Sequence, residues 1–294
     1  MNEETKKRLK FIIVTSSIGL VIMVVGITLA FKMYDTKEGT NELIINPVSI
    51  GNVPILEIYI DDNAYEKPMI ILQHGFKNKK EAMIKLGEEL ANEGFFVIAP
   101  DAYAHGERNE SPMSLVEIIV ETSQEYDELI EFYQEDNRVN VNELGLSGFS
   151  MGGCICFHYA VNGQFQPDVM APTITTPYFE QLIGTDLGKS IYNSEQGVKV
   201  EENIERIEEI NKFIVESSPF SDYVDLLGID MLIQNGADDK YVTSEGVEKL
   251  EKVLETLENP DCTVEFISVP NMKHKVNDEM KENIVDFMCQ NLTR

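Results

Sequence analysis

Apolar residues along this chain fall into runs of unequal length, and the lengths predict different elements. Residues 11–31 (FIIVTSSIGLVIMVVGITLAF) pass 21 positions without a charge, and a helix rising about 1.5 Å per residue over that length crosses the hydrocarbon core of a bilayer. The run outlasts the roughly 7–15 apolar residues of a cleaved signal peptide. No polar stripe recurs at helical spacing, as it would on a helix packed against a soluble core. The pattern therefore predicts a transmembrane helix. Lys6, Lys7, Arg8 and Lys10 precede it, whereas Lys32 and Lys37 behind it are offset by Asp35 and Glu38. That asymmetry keeps residues 1–10 on the cytoplasmic side. A signal anchor over 11–31, a polar linker over 32–41 and an extracytoplasmic body over 42–294 are expected at the cell membrane. A long signal peptide cut near Ala30 is the alternative.

Downstream the runs shorten and alternate. ELIINPVSI (42–50) and PILEIYI (54–60) flank Gly51 and Asn52 and predict an antiparallel hairpin. MIILQHG (69–75) is short and continuously apolar, as a buried central strand should be. FFVIAPD (95–101), VNELGLSGFS (141–150), PDVMAPTITTP (167–177), MLIQNGADD (231–239) and CTVEFISVP (262–270) read as further strands. Helical patterns lie between them, near 80–93, 114–134, 151–163, 244–258 and 276–291. Such alternation predicts an α/β fold, with a mostly parallel, twisted sheet and helices on both faces. The rhythm breaks over 178–225, which shows no strand pattern. Isoleucines at 204, 207, 210 and 214 mark one helical face there. A helical insertion at one end of a sheet reads as a lid that shapes a pocket.

Charge narrows the function classes. The chain carries a formal charge of -27, and so acidic a body repels polyphosphate, which argues against a nucleic-acid partner. Four cysteines, Cys154, Cys156, Cys262 and Cys289, are too few for a disulfide scaffold and lack zinc-site spacing.

Gly148-Phe149-Ser150-Met151-Gly152 is G-x-S-x-G at the end of a predicted strand and the start of a predicted helix. Small flanking residues permit the sharp turn that lifts a serine hydroxyl out of a sheet toward substrate. A hydroxyl is a weak nucleophile, so it needs a base, and the base needs an orienting acid. The chain has four histidines, His74, His105, His158 and His274. His158 lies eight residues beyond Ser150 on the same predicted helix, roughly 12 Å along its axis, out of reach. His274 follows the last predicted strand and completes the order serine, acid, histidine. For the acid, the turn after MLIQNG offers Asp239, with Asp238 beside it and Glu180 as a remote third choice. The oxyanion of acyl transfer needs two preset donors. The backbone amide of Met151, at a helix N-terminus, supplies one, and that of Phe76, after MIILQHG, is the best candidate for the other. His74 reads as a residue shaping that loop.

Taken together, HGF (74–76), APDAYAHGER (99–108), GLSGFSMGG (145–153), NGADDKYV (235–242) and NMKH (271–274) resemble the α/β-hydrolase superfamily. The likeness is to the serine esterase branch near dienelactone hydrolases and prolyl-oligopeptidase-type catalytic domains. It implies an α/β-hydrolase fold over about residues 45–292, with Ser150, Asp239 and His274 as a catalytic triad and Phe76 and Met151 as oxyanion amides. It also implies that Asp101, His105, Gly106 and Arg108 form a structured loop near the site mouth. Dienelactone hydrolases typically use a cysteine nucleophile, so Ser150 argues against that particular activity. The expected enzyme is a membrane-anchored serine hydrolase that acts on a small-molecule carboxylic ester and needs no metal or organic cofactor. A peptidase or amidase would use the same three side chains. A non-catalytic binding protein on this scaffold would usually have lost one of them. Because residues 178–225 hold eleven acids against four bases, a lid built from them would favour neutral or cationic esters.

Overall fold

The structure is a computed structural model and describes residues 41–62, 66–108, 113–183, 190–193, 196–199, 204–256 and 262–292. All of these belong to one compact unit, Asn41–Arg294. The span expected over residues 11–31, with its flanks 1–10 and 32–40, lies outside the described residues. Among the described residues no helix is long and apolar enough to cross a membrane.

The expected hairpin opens the fold. Strands β1 (Glu42–Ile50) and β2 (Val53–Asp61) pair antiparallel, with Glu42 opposite Asp61 and Ile50 opposite Val53. Next come β3 (Lys67–Gln73), α1 (Ile84–Asn92), β4 (Phe96–Pro100), β5 (Met113–Ser114) and α2 (Leu115–Tyr133). They are followed by β6 (Val139–Phe149), α3 (Met151–Asn162) and β7 (Val169–Thr173). The insertion holds β8 (Ser190–Asn193), β9 (Gln196–Lys199) and α4 (Ile204–Glu216). The chain finishes through β10 (Asp230–Gly236), α5 (Glu245–Thr256), β11 (Val264–Val269) and α6 (Asp278–Asn291). Ser114 caps α2 reciprocally. Its hydroxyl accepts from the Glu117 amide at 3.3 Å while the Glu117 carboxylate accepts from the Ser114 amide at 2.7 Å, a box that stabilises a helix start by about 1 kcal/mol.

Eight strands form one sheet in the order β1-β2-β4-β3-β6-β7-β10-β11. The pairs β1/β2 and β2/β4 are antiparallel, and every pairing from β4 to β11 is parallel. Side chains alternate across it, as the two-residue period of a strand requires. Met69, Ile71, Phe96 and Ile98 enter a core with Tyr126 and Ile130 of α2 and Ile155 and Phe157 of α3. Ile70, Leu72, Val97 and Ala99 enter another, with Leu86 and Leu90 of α1 and Ile284 and Met288 of α6. Each large apolar side chain so buried contributes about 1.5–3 kcal/mol relative to exposure. Helices thus cover both faces. The parallel run brings the C-terminal ends of β3, β6, β7, β10 and β11 to one edge of the sheet, where crevices of open α/β sheets form.

The insertion differs from expectation. Residues 178–225 are not without strand, since β8 and β9 form an antiparallel hairpin and β8 also pairs with β5, making a separate three-stranded sheet. Strands of four residues are too short for an alternation to show in sequence. The expected helix is present as α4, with Ile210 and Ile214 buried in the core shared with α2 and α3. Arg206 on α4 donates to the Glu117 carboxylate on α2 at 2.6 Å. The insertion is therefore docked on the α2 and α3 face of the sheet.

Candidate active site

Ser150 sits between β6 and α3 with φ +55° and ψ -113°, a region that costs a non-glycine residue of order 1–3 kcal/mol. The surrounding packing holds it there. Its amide donates to Thr173 O at 3.0 Å, and its carbonyl accepts from the Cys154 amide at 3.0 Å. Gly148 has to be glycine, because a Cβ there would stand 2.4 Å from the backbone carbon of Gly152. The turn consequently presents the Ser150 hydroxyl to the crevice, with the helix axis of α3 running away behind it.

The turns after β10 and β11 abut. Ala237 N donates to Val269 O at 2.9 Å and Asp238 N to Met272 O at 2.8 Å, which brings the turns that carry Asp239 and His274 together at the elbow. There the His274 ring lies between two partners, with Nε2 2.8 Å from Ser150 Oγ and Nδ1 2.7 Å from Asp239 Oδ2. An ionised carboxylate only accepts, so the proton is on Nδ1 and Nε2 is left to accept from the serine hydroxyl. The other oxygen of Asp239 is fixed as well, accepting from the amides of Tyr241 at 2.9 Å and Val242 at 3.1 Å. Burial pushes the Asp239 carboxyl up, but the His274 hydrogen bond and those two amides outweigh it and hold the group below its usual range. Asp239 is buried, whereas Asp238 is exposed. Glu180 is elsewhere, accepting from the Ser218 hydroxyl at 2.6 Å within the insertion.

Both residues expected to supply oxyanion amides lie near the elbow. Met151 is the first residue of α3, so its N–H has no partner inside the helix. Phe76 lines the cleft with Ser150. Gly75 lies against the elbow, where an added Cβ would stand 3.0 Å from Phe149 O and 3.7 Å from Ser150 Cβ. His74 is fully buried beneath this loop. Its Nδ1–H donates to Gly75 O at 2.9 Å, and its Nε2 accepts from the Ala102 amide at 3.0 Å; burial lowers its pKa. His105, on the loop 101–108, faces the same segment. His158 is a packed helix residue, as its spacing indicated. Its Nδ1–H donates to Ser123 Oγ on α2 at 2.6 Å, and burial lowers its pKa to about 4.

A cleft of about 380 Å³ opens over Ser150 and His274. Phe76, Met83, Phe149, Ile174 and Val276 give it apolar walls, and Tyr241 and Lys275 stand at its side. The Tyr241 ring meets the His274 imidazole edge-on at 5.4 Å. Among the described residues, none of 178–225 and no carboxylate lines this cleft. The lid expectation rests in part on residues 184–189, 194–195 and 200–203, which lie outside the described residues; at the described edge of this pocket stands a lysine, Lys275. Sequence reasoning passed over Tyr241 and Lys275, although each lies within two residues of a side chain it had chosen. Among the described residues, no group of three or more His, Cys, Asp and Glu is arranged to hold a metal ion. Chemically, the set can move a proton from a serine hydroxyl to an imidazole oriented by a buried carboxylate, next to an apolar cavity.

Known proteins resemble this chain in sequence and in fold. Residues 57–192 match the model of the Dienelactone hydrolase family. A Bacillus subtilis (strain 168) protein provisionally named an esterase, YitV, is 24% identical over 238 residues, which cover 78% of this chain and 91% of that one. Esterase YjfP of Escherichia coli (strain K12) is 24% identical over 255 residues, covering 83% and 97%. The crystal structure of TT1662 from Thermus thermophilus superposes with a TM-score of 0.63 at 19% identity, covering 86% of this chain and 99% of that one. The chain has the α/β-hydrolase fold, and its residues 57–192 are similar to the Dienelactone hydrolase family.

Proposed function

We propose that this protein is a serine hydrolase that cleaves carboxylic esters through an acyl-enzyme. The observation that carries the reading is the pair of hydrogen bonds through His274, 2.8 Å to Ser150 Oγ and 2.7 Å to Asp239 Oδ2, beside an apolar cleft. Its similarity to proteins named esterase supports the choice of substrate bond. Ser150 Oγ attacks the ester carbonyl carbon while His274 Nε2 takes the hydroxyl proton. The carbonyl oxygen becomes an oxyanion, held by the amides of Phe76 and Met151, each such donor being worth about 10²–10³ in rate. Collapse breaks the carbon–oxygen bond, and His274 returns its proton to the departing alkoxide. Water then attacks the acyl-serine with His274 again as base, releasing the carboxylic acid and restoring Ser150. Asp239 stabilises the imidazolium in both halves and keeps its Nδ1 protonated.

The same proposal includes attachment to the cell membrane through residues 11–31, with the catalytic body on the extracytoplasmic side. It is supported by the uncharged 21-residue run and the bases that precede it. Hydrolysis of p-nitrophenyl esters of graded acyl length, set beside matched anilides, tests the catalytic part. Esters should turn over faster than anilides, and Ser150→Ala should abolish both. Equal turnover by Ser150→Ala would refute the acyl-enzyme. Recovery of the full chain in the salt-washed soluble fraction would refute the anchor.

A further inference from the structure

Two loops meet beside the cleft: residues 74–80 after β3, which carry the Phe76 amide, and residues 101–108 after β4, to which the chemistry above assigns no role. Their backbones are joined through buried side chains. The Ala102 amide donates to His74 Nε2 at 3.0 Å, and the Lys80 amide to Asp101 Oδ1 at 2.8 Å. Between these two, the Lys77 amide donates to His105 Nε2 at 3.1 Å. His105 is fully buried. Its Nδ1 lies 2.7 Å from Tyr103 O, so the ring proton is on Nδ1, and Nε2 is a committed acceptor. Burial lowers its pKa to about 4, which keeps it neutral and able to accept at ordinary pH. The titratable groups around it are His74, itself kept neutral by burial, and Asp101, which already accepts from Lys80 and the Glu107 amide.

Lys77 directly follows Phe76, whose amide is one of the two oxyanion donors. Lys77 has φ +61°, a left-handed conformation that a lysine keeps only where its surroundings impose it. The His105 ring also stands edge-on to the Phe76 ring, 5.5 Å between centroids. The loop that carries His105 is itself braced. Arg108 forks onto Glu125 of α2 at 2.6 and 2.8 Å and stacks on the Tyr103 ring at 3.9 Å. A rigid support, a single accepting nitrogen and a strained peptide therefore lie in sequence, ending at the oxyanion amide.

We propose that His105 is a positioning residue for catalysis, which holds the Lys77 amide and thereby aims the Phe76 N–H at the developing oxyanion. This rests on the serine-hydrolase reading above. Oxyanion donors act on the tetrahedral species far more than on the bound ester, so the signature is a fall in kcat without a matching change in KM. Two substitutions separate aiming from packing. His105→Phe keeps a ring and removes the acceptor; His105→Gln places a carbonyl oxygen at about the reach of Nε2. For each, kcat and KM on p-nitrophenyl acetate, inhibition by a trifluoromethyl ketone and the melting temperature are measured.

His105→Phe should lose about 10- to 100-fold in kcat and in trifluoromethyl ketone affinity together, with KM within about twofold of wild type. His105→Gln should recover most of both. The proposal is overturned by unchanged kcat in a folded His105→Phe, by a change confined to KM, or by a folded His105→Gln as slow as His105→Phe. It is also overturned if neither variant folds, since His105 would then be a structural residue. Wild-type activity that survives Ser150→Ala would instead remove the hydrolase reading on which the proposal stands, so the two failures are told apart.

Discussion

Replacing Asp239 by asparagine changes one atom and should cost nearly all activity, for a reason the site makes explicit. An asparagine can face His274 with its oxygen or with its nitrogen. The oxygen can stay at His274 only if the NH₂ group turns toward the amides of Tyr241 and Val242, which now donate to Asp239 Oδ1 at 2.9 and 3.1 Å. That orientation sets donors against donors and leaves the buried Val242 N–H unpaired, at about 1–3 kcal/mol, together with the part-buried Tyr241 N–H. The side chain therefore keeps its oxygen on those amides and turns its NH₂ to His274 Nδ1. The imidazole must then accept at Nδ1 and carry its proton on Nε2, which points a hydrogen at Ser150 Oγ where a lone pair is needed. A wrong tautomer in otherwise intact geometry is worth about 10⁴ in kcat in serine hydrolases, or roughly 5 kcal/mol of transition-state stabilisation. Steady-state hydrolysis of p-nitrophenyl acetate measures it, with the melting temperature as a check on folding. Asp238→Asn, at the exposed neighbour, should stay within about twofold of wild type. A folded Asp239→Asn enzyme within tenfold of wild type would refute the reasoning, as would a larger loss from Asp238→Asn.

Other outcomes follow from burial and charge. Lys80 is buried with its amine on Asp101 and Glu107, so Lys80→Met should leave the Asp101 charge unpaired and lower unfolding free energy by about 3–5 kcal/mol in urea titrations. His158 has its pKa lowered from 6.5 to about 4, so between those values the unfolded chain binds the proton and the folded one does not. Its contribution to stability is complete above pH 6.5 and is lost on acidification toward pH 4. Measured against His158→Gln, which shares every carboxylate, wild type should lose about 3 kcal/mol between pH 7 and pH 4; a constant difference would contradict this. Among the described residues that line the cleft, Lys275 is the one lysine and no carboxylate is present, so Lys275→Gln should lower kcat/KM for a carboxylate-bearing ester about two- to fivefold relative to its neutral isostere at low salt. An unchanged ratio would show that the lysine does not meet the substrate.

Much of this was legible because it is local. The hairpin at Gly51, the strand stopping at Gly148 and the helix running to Asn162 are fixed by turn chemistry and periodicity within a few residues. The order of serine, acid and histidine pointed to Ser150, Asp239 and His274, and the structure brings those three side chains together. What was not legible depends on packing between distant segments. The β8 and β9 strands exist through their pairing with each other and through the pairing of β8 with β5, where Met113 lies opposite Tyr192 and Ser114 opposite Ile191. Residues 178–225 had the composition of a cover, and the docking of their helix on α2 and α3 through Ile210, Ile214 and Arg206 is a matter of packing. Among the described residues the cleft takes its walls from the loops at 75–83, 149–150, 174, 241 and 274–276. No run of charges in one segment could have revealed the lysine there. His105 shows a third limit, since a histidine that only accepts a backbone N–H leaves no spacing or pattern behind.

The central claim is that Ser150 is a nucleophile made reactive by His274. Labelling the folded protein with a fluorophosphonate and locating the adduct by peptide mass spectrometry tests it most directly. The account predicts one adduct on Ser150, no labelling of Ser150→Ala, and labelling slowed by at least about 10³ in His274→Ala. A folded wild type that fails to label, or equal labelling after Ser150→Ala, would contradict it.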